Sequence, residues 1–141
     1  MNSPKSFKVG RRLVLAGIAA SLVALVPVAF AAQPSVEIIA FAHPPVEDAL
    51  KPVRAWLKKQ GTKVRVVELD MEGPEAQSRL KAIGLTGHLP IVILIDGQYR
   101  YTRPDGINVQ FVGFPAAAGS PAAAKGTWST GDVEAALKTR I

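Results

Sequence analysis

The chain has 141 residues and a formal net charge of +6, and it contains no cysteine. Its length suits a single domain, and the lack of cysteine excludes thiol nucleophiles, disulfide exchange and cysteine metal sites. Four of the 17 basic residues and none of the 11 acidic residues precede residue 32, so residues 32–141 carry a formal charge of only +2. The basicity belongs mainly to the N-terminal segment, and we therefore expect no nucleic-acid partner.

Residues 1–31 have the composition of an export signal. Basic residues without any acid come first, the apolar run LVLAGIAASLVAL follows, and Ala29-Phe30-Ala31 then has the small-residue pattern of a cleavage site. We predict a signal peptide over 1–31 and a periplasmic or secreted protein. Arg11-Arg12 leaves twin-arginine export open beside the general secretory route. If the segment stayed uncleaved, it would be the only contact with a membrane.

The next two segments differ in periodicity. Residues 36–42, VEIIAFA, are apolar and rich in β-branched side chains, which predicts a buried strand. Residues 45–60 repeat apolar side chains at helical spacing, with acidic residues near the start and Gly61 directly after the end. This pattern predicts an amphipathic helix, in which Pro52 should remove one hydrogen bond and kink the axis.

Strands and helices continue to alternate after this helix. The run LPIVILI is strongly apolar, and Asp96-Gly97 after it predicts a hairpin. Residues 114–126, FPAAAGSPAAAKG, predict an extended surface loop, and Ser129 with Asp132 makes a variant of the capping box. The predicted elements are strand 36–42, helix 45–60, strand 63–70, helix 73–83, strand 89–95, strand 98–102, strand 107–112 and a short helix within 127–141.

Three features taken together resemble the thioredoxin-like fold family. A strand and loop lead into a helix with an internal proline, ALKPVRAWL; a last helix begins after Trp128-Ser129; and TGHLPIVILIDG resembles the segment in which a cis-proline precedes an apolar strand and a turn. The resemblance covers residues 36–141. It implies that residues 32–141 form an α/β domain, a thioredoxin-like mixed sheet of four to five strands flanked by about three helices. Pro90 would match the cis-proline.

The resemblance also places the family's Cys-x-x-Cys pair. In thioredoxins the proline inside the helix lies five residues after the second cysteine, and counting back from Pro52 leads to Glu47. The degenerate motif is then Pro44-Pro45-Val46-Glu47, and both thiol positions are lost. Because thioredoxin chemistry depends on a thiolate, we expect no thiol–disulfide oxidoreductase activity, no catalytic residue and no cofactor.

Binding does not require a thiol. In the family, the backbone just before the cis-proline pairs with a bound substrate or partner, and His88 and Leu89 hold that place here. His43 directly precedes the degenerate motif, and the resemblance implies that its loop faces the loop of His88. We therefore expect a protein or peptide partner to bind at His43, His88, Leu89 and Pro90 through main-chain hydrogen bonds. The alternative is that Pro90 merely starts a strand.

A metal-binding or metal-carrier function is the alternative to partner binding. His43, His88 and Glu47 would supply two imidazoles and one carboxylate if the two loops meet. Loop histidines bonded to backbone or water explain the same residues without a metal, and no local histidine spacing indicates a ligand pair. Glu47 and Asp48 do not make an acid–base pair, because adjacent helical side chains diverge by about 100°. The sequence thus favours an exported, non-catalytic, metal-free binding or accessory module.

Overall fold

The computed structural model describes residues 32–116 and 126–141. The helices and strands follow the predicted order and are β1 Ser35–Ala40, α1 Pro44–Gln60, β2 Arg65–Asp70, α2 Pro74–Ala82, β3 Ile91–Ile95, β4 Arg100–Thr102, β5 Asn108–Gln110 and α3 Thr130–Lys138. A 3-10 turn, Gly61–Lys63, links α1 to β2. The predicted signal peptide at 1–31 and residues 117–125 of the predicted loop lie outside the described residues, so the boundary before residue 32 stays a prediction.

β1 is the central strand of a three-stranded sheet with the order β2-β1-β3. β2 runs parallel to β1, with Ser35 opposite Arg65, and β3 runs antiparallel, with Val36 opposite Ile95. A parallel pair needs a crossover connection, and α1 provides it. The sheet is therefore mixed, as predicted.

The expectation of one sheet with four to five strands is wrong. β4 and β5 form a separate two-stranded antiparallel sheet. Asp96 and Gly97 reverse the chain with φ values of 48° and 78°, but only an isolated bridge between Ile95 and Gln98 joins the returning chain to β3 at this turn. β4 then pairs with β5 instead of extending along β3. The described chain is mixed α/β, with three helices and with five strands in two sheets.

Helices cover both faces of the larger sheet. Ile38 and Ile93 belong to a buried cluster with side chains from α1 and α3, whereas their strand neighbours Ile39 and Val92 belong to a second cluster with α2. The division follows from the alternation of successive strand residues between two faces. All five residues of β3 are buried, as expected for a strand that is covered on both sides.

α1 buries a single stripe and exposes the rest of its surface. The stripe repeats at intervals of three and four residues and consists of Val46, Leu50, Val53 and Leu57. Gly61 ends the helix with a φ of 56°, and its N–H donates to the carbonyl of Lys58. The helix continues through Pro52, which is exposed. The internal proline therefore lies away from the buried stripe.

Asp132 ties α3 to the chain beyond β4. The predicted capping box is confirmed, because Ser129 Oγ accepts the N–H of Asp132 at 3.3 Å and the Asp132 carboxylate accepts the N–H of Ser129 at 2.8 Å. The same carboxylate receives bonds from Nε and Nη2 of Arg103 at 2.6 and 2.8 Å. The Arg103 guanidinium, and secondarily Ser129, holds the pKa of Asp132 below its usual range although the residue is buried.

Candidate functional site

Three aromatic rings meet just after the end of β1. The imidazole of His43 stacks on Phe41 with ring centroids 5.2 Å apart and 14° between the planes. The ring of His88 lies 5.0 Å from the same phenyl ring, at 32°. Phe41 is half-buried, whereas both histidines are exposed. The structure thus brings the two histidines of the chain to one surface, with Phe41 as their common contact.

Local backbone geometry explains these positions. His43 is the N-cap residue of α1 in an extended conformation, and its carbonyl accepts the N–H groups of Val46 and Glu47 at 3.0 and 3.1 Å. The His43 side chain makes no capping bond, which leaves the imidazole available to stack on Phe41. The N–H of Phe41 donates to the carbonyl of Pro90 at 3.3 Å. This bond joins the end of β1 to the loop that carries His88.

The backbone just before Pro90 has no backbone hydrogen-bond partner among the described residues. In the described part of the chain, neither His88 nor Leu89 takes part in a backbone hydrogen bond. Leu89 and Pro90 are half-buried, and the Leu89 side chain packs against the cluster beneath α2. Main-chain donors and acceptors without a backbone partner therefore lie beside an aromatic patch. We call Phe41, His43, His88, Leu89 and Pro90 the Phe41 surface.

The match of Pro90 to a cis-proline is wrong. The described residues contain no cis peptide bond, so the bond between Leu89 and Pro90 is trans, the isomer that is intrinsically favoured by about 0.5–1 kcal/mol. Pro90 directly precedes Ile91, the first residue of β3. Proline cannot donate an N–H to a strand ladder, but no such bond is required at this position just before the strand. Pro90 still contributes to the surface through its carbonyl, which accepts the N–H of Phe41.

The four residues of the degenerate motif form the first turn of α1. Pro44 and Pro45 are exposed, and Val46 is fully buried. Glu47 pairs with Arg54, whose Nη1 donates to it at 2.7 Å. Nη2 of the same guanidinium donates at 2.7 Å to the carboxylate of Glu68 in β2. Glu47 therefore belongs to an ion-pair network between α1 and β2.

The metal hypothesis requires the Glu47 carboxylate beside both histidines, but that carboxylate is paired with Arg54. Within residues 32–116 and 126–141, no three histidine, aspartate or glutamate side chains are grouped so as to hold a metal ion. The two histidines face Phe41 while Glu47 faces Arg54. The structure therefore does not bring His43, His88 and Glu47 together as a ligand set.

Phe41 and Arg54 are the site residues that sequence reasoning missed. Phe41 lies two residues before His43, a spacing that places side chains on the same side of an extended chain. Arg54 lies two helical turns after Glu47, on the same side of α1. These spacings could have revealed the contact of Phe41 with His43 and that of Arg54 with Glu47. The contact between Phe41 and His88 has no local signal, because it depends on the pairing of β1 with β3.

No helix in the described residues is both long and apolar enough to span a membrane. Comparison of the chain with protein-family models, with curated proteins and with solved structures gave no match.

Proposed function

We propose that the protein is an exported thioredoxin-like domain without thiol chemistry that binds an extended protein or peptide segment at the Phe41 surface. The parallel pair β1 and β2 with its helical crossover, the antiparallel β3 and the helices on both faces support the fold assignment. The split into two sheets departs from the expected single sheet. Because the whole sequence lacks cysteine, the function cannot be disulfide exchange.

The observation that carries the proposal is the unpaired backbone of His88 and Leu89 beside the aromatic stack. An extended peptide can pair with such main-chain groups, while side-chain contacts supply selectivity. The rings of Phe41, His43 and His88 offer flat contact area next to these unpaired amides. A patch of five residues is much smaller than the roughly 20–30 residues per side of a stable interface, so this surface alone predicts weak and transient binding.

The charges closest to the Phe41 surface in sequence are already neutralised. Glu47 pairs with Arg54, and Asp48 accepts a bond from Lys51 at 2.6 Å. A bound segment would therefore be selected by its shape, apolar side chains and backbone. We expect the affinity to change little with ionic strength, in contrast to binding that depends on exposed unpaired charges.

A peptide library tests the proposal. Random peptides displayed on phage are selected against the wild-type chain, and the dissociation constants of enriched peptides are then measured for His88→Ala and Thr86→Ala. Both residues are exposed and lie in the same loop, so Thr86→Ala is a matched control. Loss of one aromatic contact should weaken binding about three- to tenfold in His88→Ala, and Thr86→Ala should bind like wild type. Equal affinities of the two variants for every enriched peptide would contradict the proposal.

A further inference from the structure

The chain contains two Asp-Gly pairs, and each lies in a turn after a strand. Asp96-Gly97 directly follows β3, and Asp105-Gly106 lies between β4 and β5. Such a pair can rearrange without an enzyme, because glycine has no Cβ to hinder attack of its own nitrogen on the preceding carboxyl group. Both aspartates are exposed, so access to solvent does not distinguish them. The partners of the two carboxylates differ, and this difference predicts different reactivity.

The Asp96 carboxylate is held by two other parts of the chain. Its Oδ1 accepts the N–H of Ser35 at 2.8 Å, and its Oδ2 accepts a bond from Nη1 of Arg140 at 2.6 Å. The N–H of Asp96 donates in return to the Ser35 carbonyl at 2.9 Å, so the residue is tied to the start of β1. The Ser35 N–H, and then Arg140, hold the pKa of Asp96 below its usual range. An ionised carboxylate is a poorer electrophile than a carboxylic acid, so these bonds protect Asp96 from attack.

The Asp105 carboxylate is bonded within its own turn. Its Oδ1 accepts the N–H of Ile107 at 3.1 Å, and among the described residues it takes part in no ion pair. A bond from an aspartate side chain to the backbone two residues later makes an Asx turn. This turn folds the carboxyl carbon over the intervening peptide bond, whose nitrogen belongs to Gly106. The two atoms that would react are therefore held close together at this pair.

The attacking nitrogens also differ. The Gly106 N–H donates to the carbonyl of Arg103 at 2.9 Å, whereas the Gly97 N–H has no backbone partner in the described chain. The nitrogen alone would therefore favour reaction at Asp96. The Gly106 bond joins two neutral groups, however, and charge-assisted bonds are roughly twice as strong. Freeing the Asp96 carboxylate from both of its partners thus costs more than opening the Gly106 bond.

We propose that Asp105 is a site of spontaneous isoaspartate formation in the folded protein, whereas Asp96 is protected. The Gly106 nitrogen bonds to Cγ of Asp105, and its proton leaves with a carboxyl hydroxyl group as water, which closes a succinimide ring. Water then adds to either ring carbonyl and breaks its bond to the nitrogen. Opening at the main-chain carbonyl leaves Cγ in the backbone, and opening at Cγ restores aspartate. The net change is an isomerisation that needs no oxidant, reductant or other reactant.

Peptide mapping by mass spectrometry tests the proposal on the full chain. The chain is incubated at neutral pH, and isoaspartate is quantified at both pairs over time. We expect it to form at Asp105 at least about tenfold faster than at Asp96, because the bonds to the Asp96 carboxylate must break first. The same chain unfolded in urea is the control, in which both pairs should react at similar rates. Incubation continues until the unfolded chain contains isoaspartate at both pairs.

Two variants test why Asp96 is protected. Arg140→Ala removes one of its partners and should speed the reaction at Asp96 about two- to fivefold. Lys138→Ala is the matched control, because this nearby basic residue pairs with Glu134 instead. Neither variant should change the rate at Asp105. Equal rates at the two pairs of the folded wild type, faster reaction at Asp96, isoaspartate at neither pair, or equal Asp96 rates in the two variants would each overturn the proposal.

Discussion

Replacement of Asp132 by alanine tests whether α3 is held in place by one buried carboxylate. The side chain accepts two bonds from Arg103 and two from Ser129. Loss of the capping interaction costs about 1 kcal/mol, and loss of a charge-assisted bond costs about 1.5–3 kcal/mol. The Arg103 side chain is 30% exposed, so water can solvate part of the abandoned guanidinium. We therefore expect the free energy of unfolding to fall by about 2–3 kcal/mol.

Urea unfolding at neutral pH measures this change, with linear extrapolation to water. Glu134→Ala is the matched control, because it lies in the same helix and loses only the contact with Lys138 at 3.6 Å. That partly exposed pair is worth about 0.3–0.5 kcal/mol. If Asp132→Ala were no more destabilising than Glu134→Ala, the account of how α3 is anchored would be refuted.

Three further predictions concern glycine, the core and pH. Gly126→Ala should lower the free energy of unfolding by about 1–3 kcal/mol, because the added Cβ would lie 2.6 Å from the Val112 carbonyl oxygen. Gly131→Ala in α3 should raise it by about 0.5–1 kcal/mol, because the nearest atom to its Cβ would be 3.6 Å away. Melting temperatures that shift in the same direction in both variants would contradict this. Leu50→Ala, at a fully buried position of α1, should lose about 2–5 kcal/mol in urea unfolding, and a loss below about 1 kcal/mol would contradict the packing. The pKa of Asp96 is held low by the Ser35 N–H and then Arg140, and that of Asp132 by Arg103 and then Ser129. Their contribution to stability is therefore complete above the ordinary carboxyl pKa of 3.8 and is lost as the pH falls through the lower folded-state values. In Asp132→Asn the free energy of unfolding should fall less steeply as the pH is lowered. If it fell with pH in parallel with that of the wild type, the prediction would be contradicted.

The order of the elements was predictable from local patterns. The stripe of α1 and the capping box of α3 depend on residues three or four positions apart, which periodicity and capping chemistry reveal directly. The division into two sheets was not predictable in this way. Alternation indicates that residues near Arg100 form a strand, but it does not identify the partner of that strand. The pairing of Arg103 with Asp132 likewise joins residues that are 29 positions apart.

The candidate surface shows the same limit. The convergence of His43 and His88 was expected only through the resemblance, since the two residues come from different loops. The contact of Phe41 with His88 becomes evident only when the ends of β1 and β3 are placed side by side. The match to a cis-proline could not fix the isomer of Pro90, because trans and cis forms before proline differ by only about 0.5–1 kcal/mol and the tertiary contacts of the loop decide between them.

The most direct test of the proposed function locates the bound peptide on the protein. An isotope-labelled chain is titrated with a peptide selected against the wild type, and amide chemical shifts are followed by NMR. We expect the largest changes at His88 and Leu89, accompanied by changes at Phe41 and His43, and little change along β2. Peptide binding that leaves the amides of His88 and Leu89 unperturbed would contradict the claim that the Phe41 surface binds an extended segment.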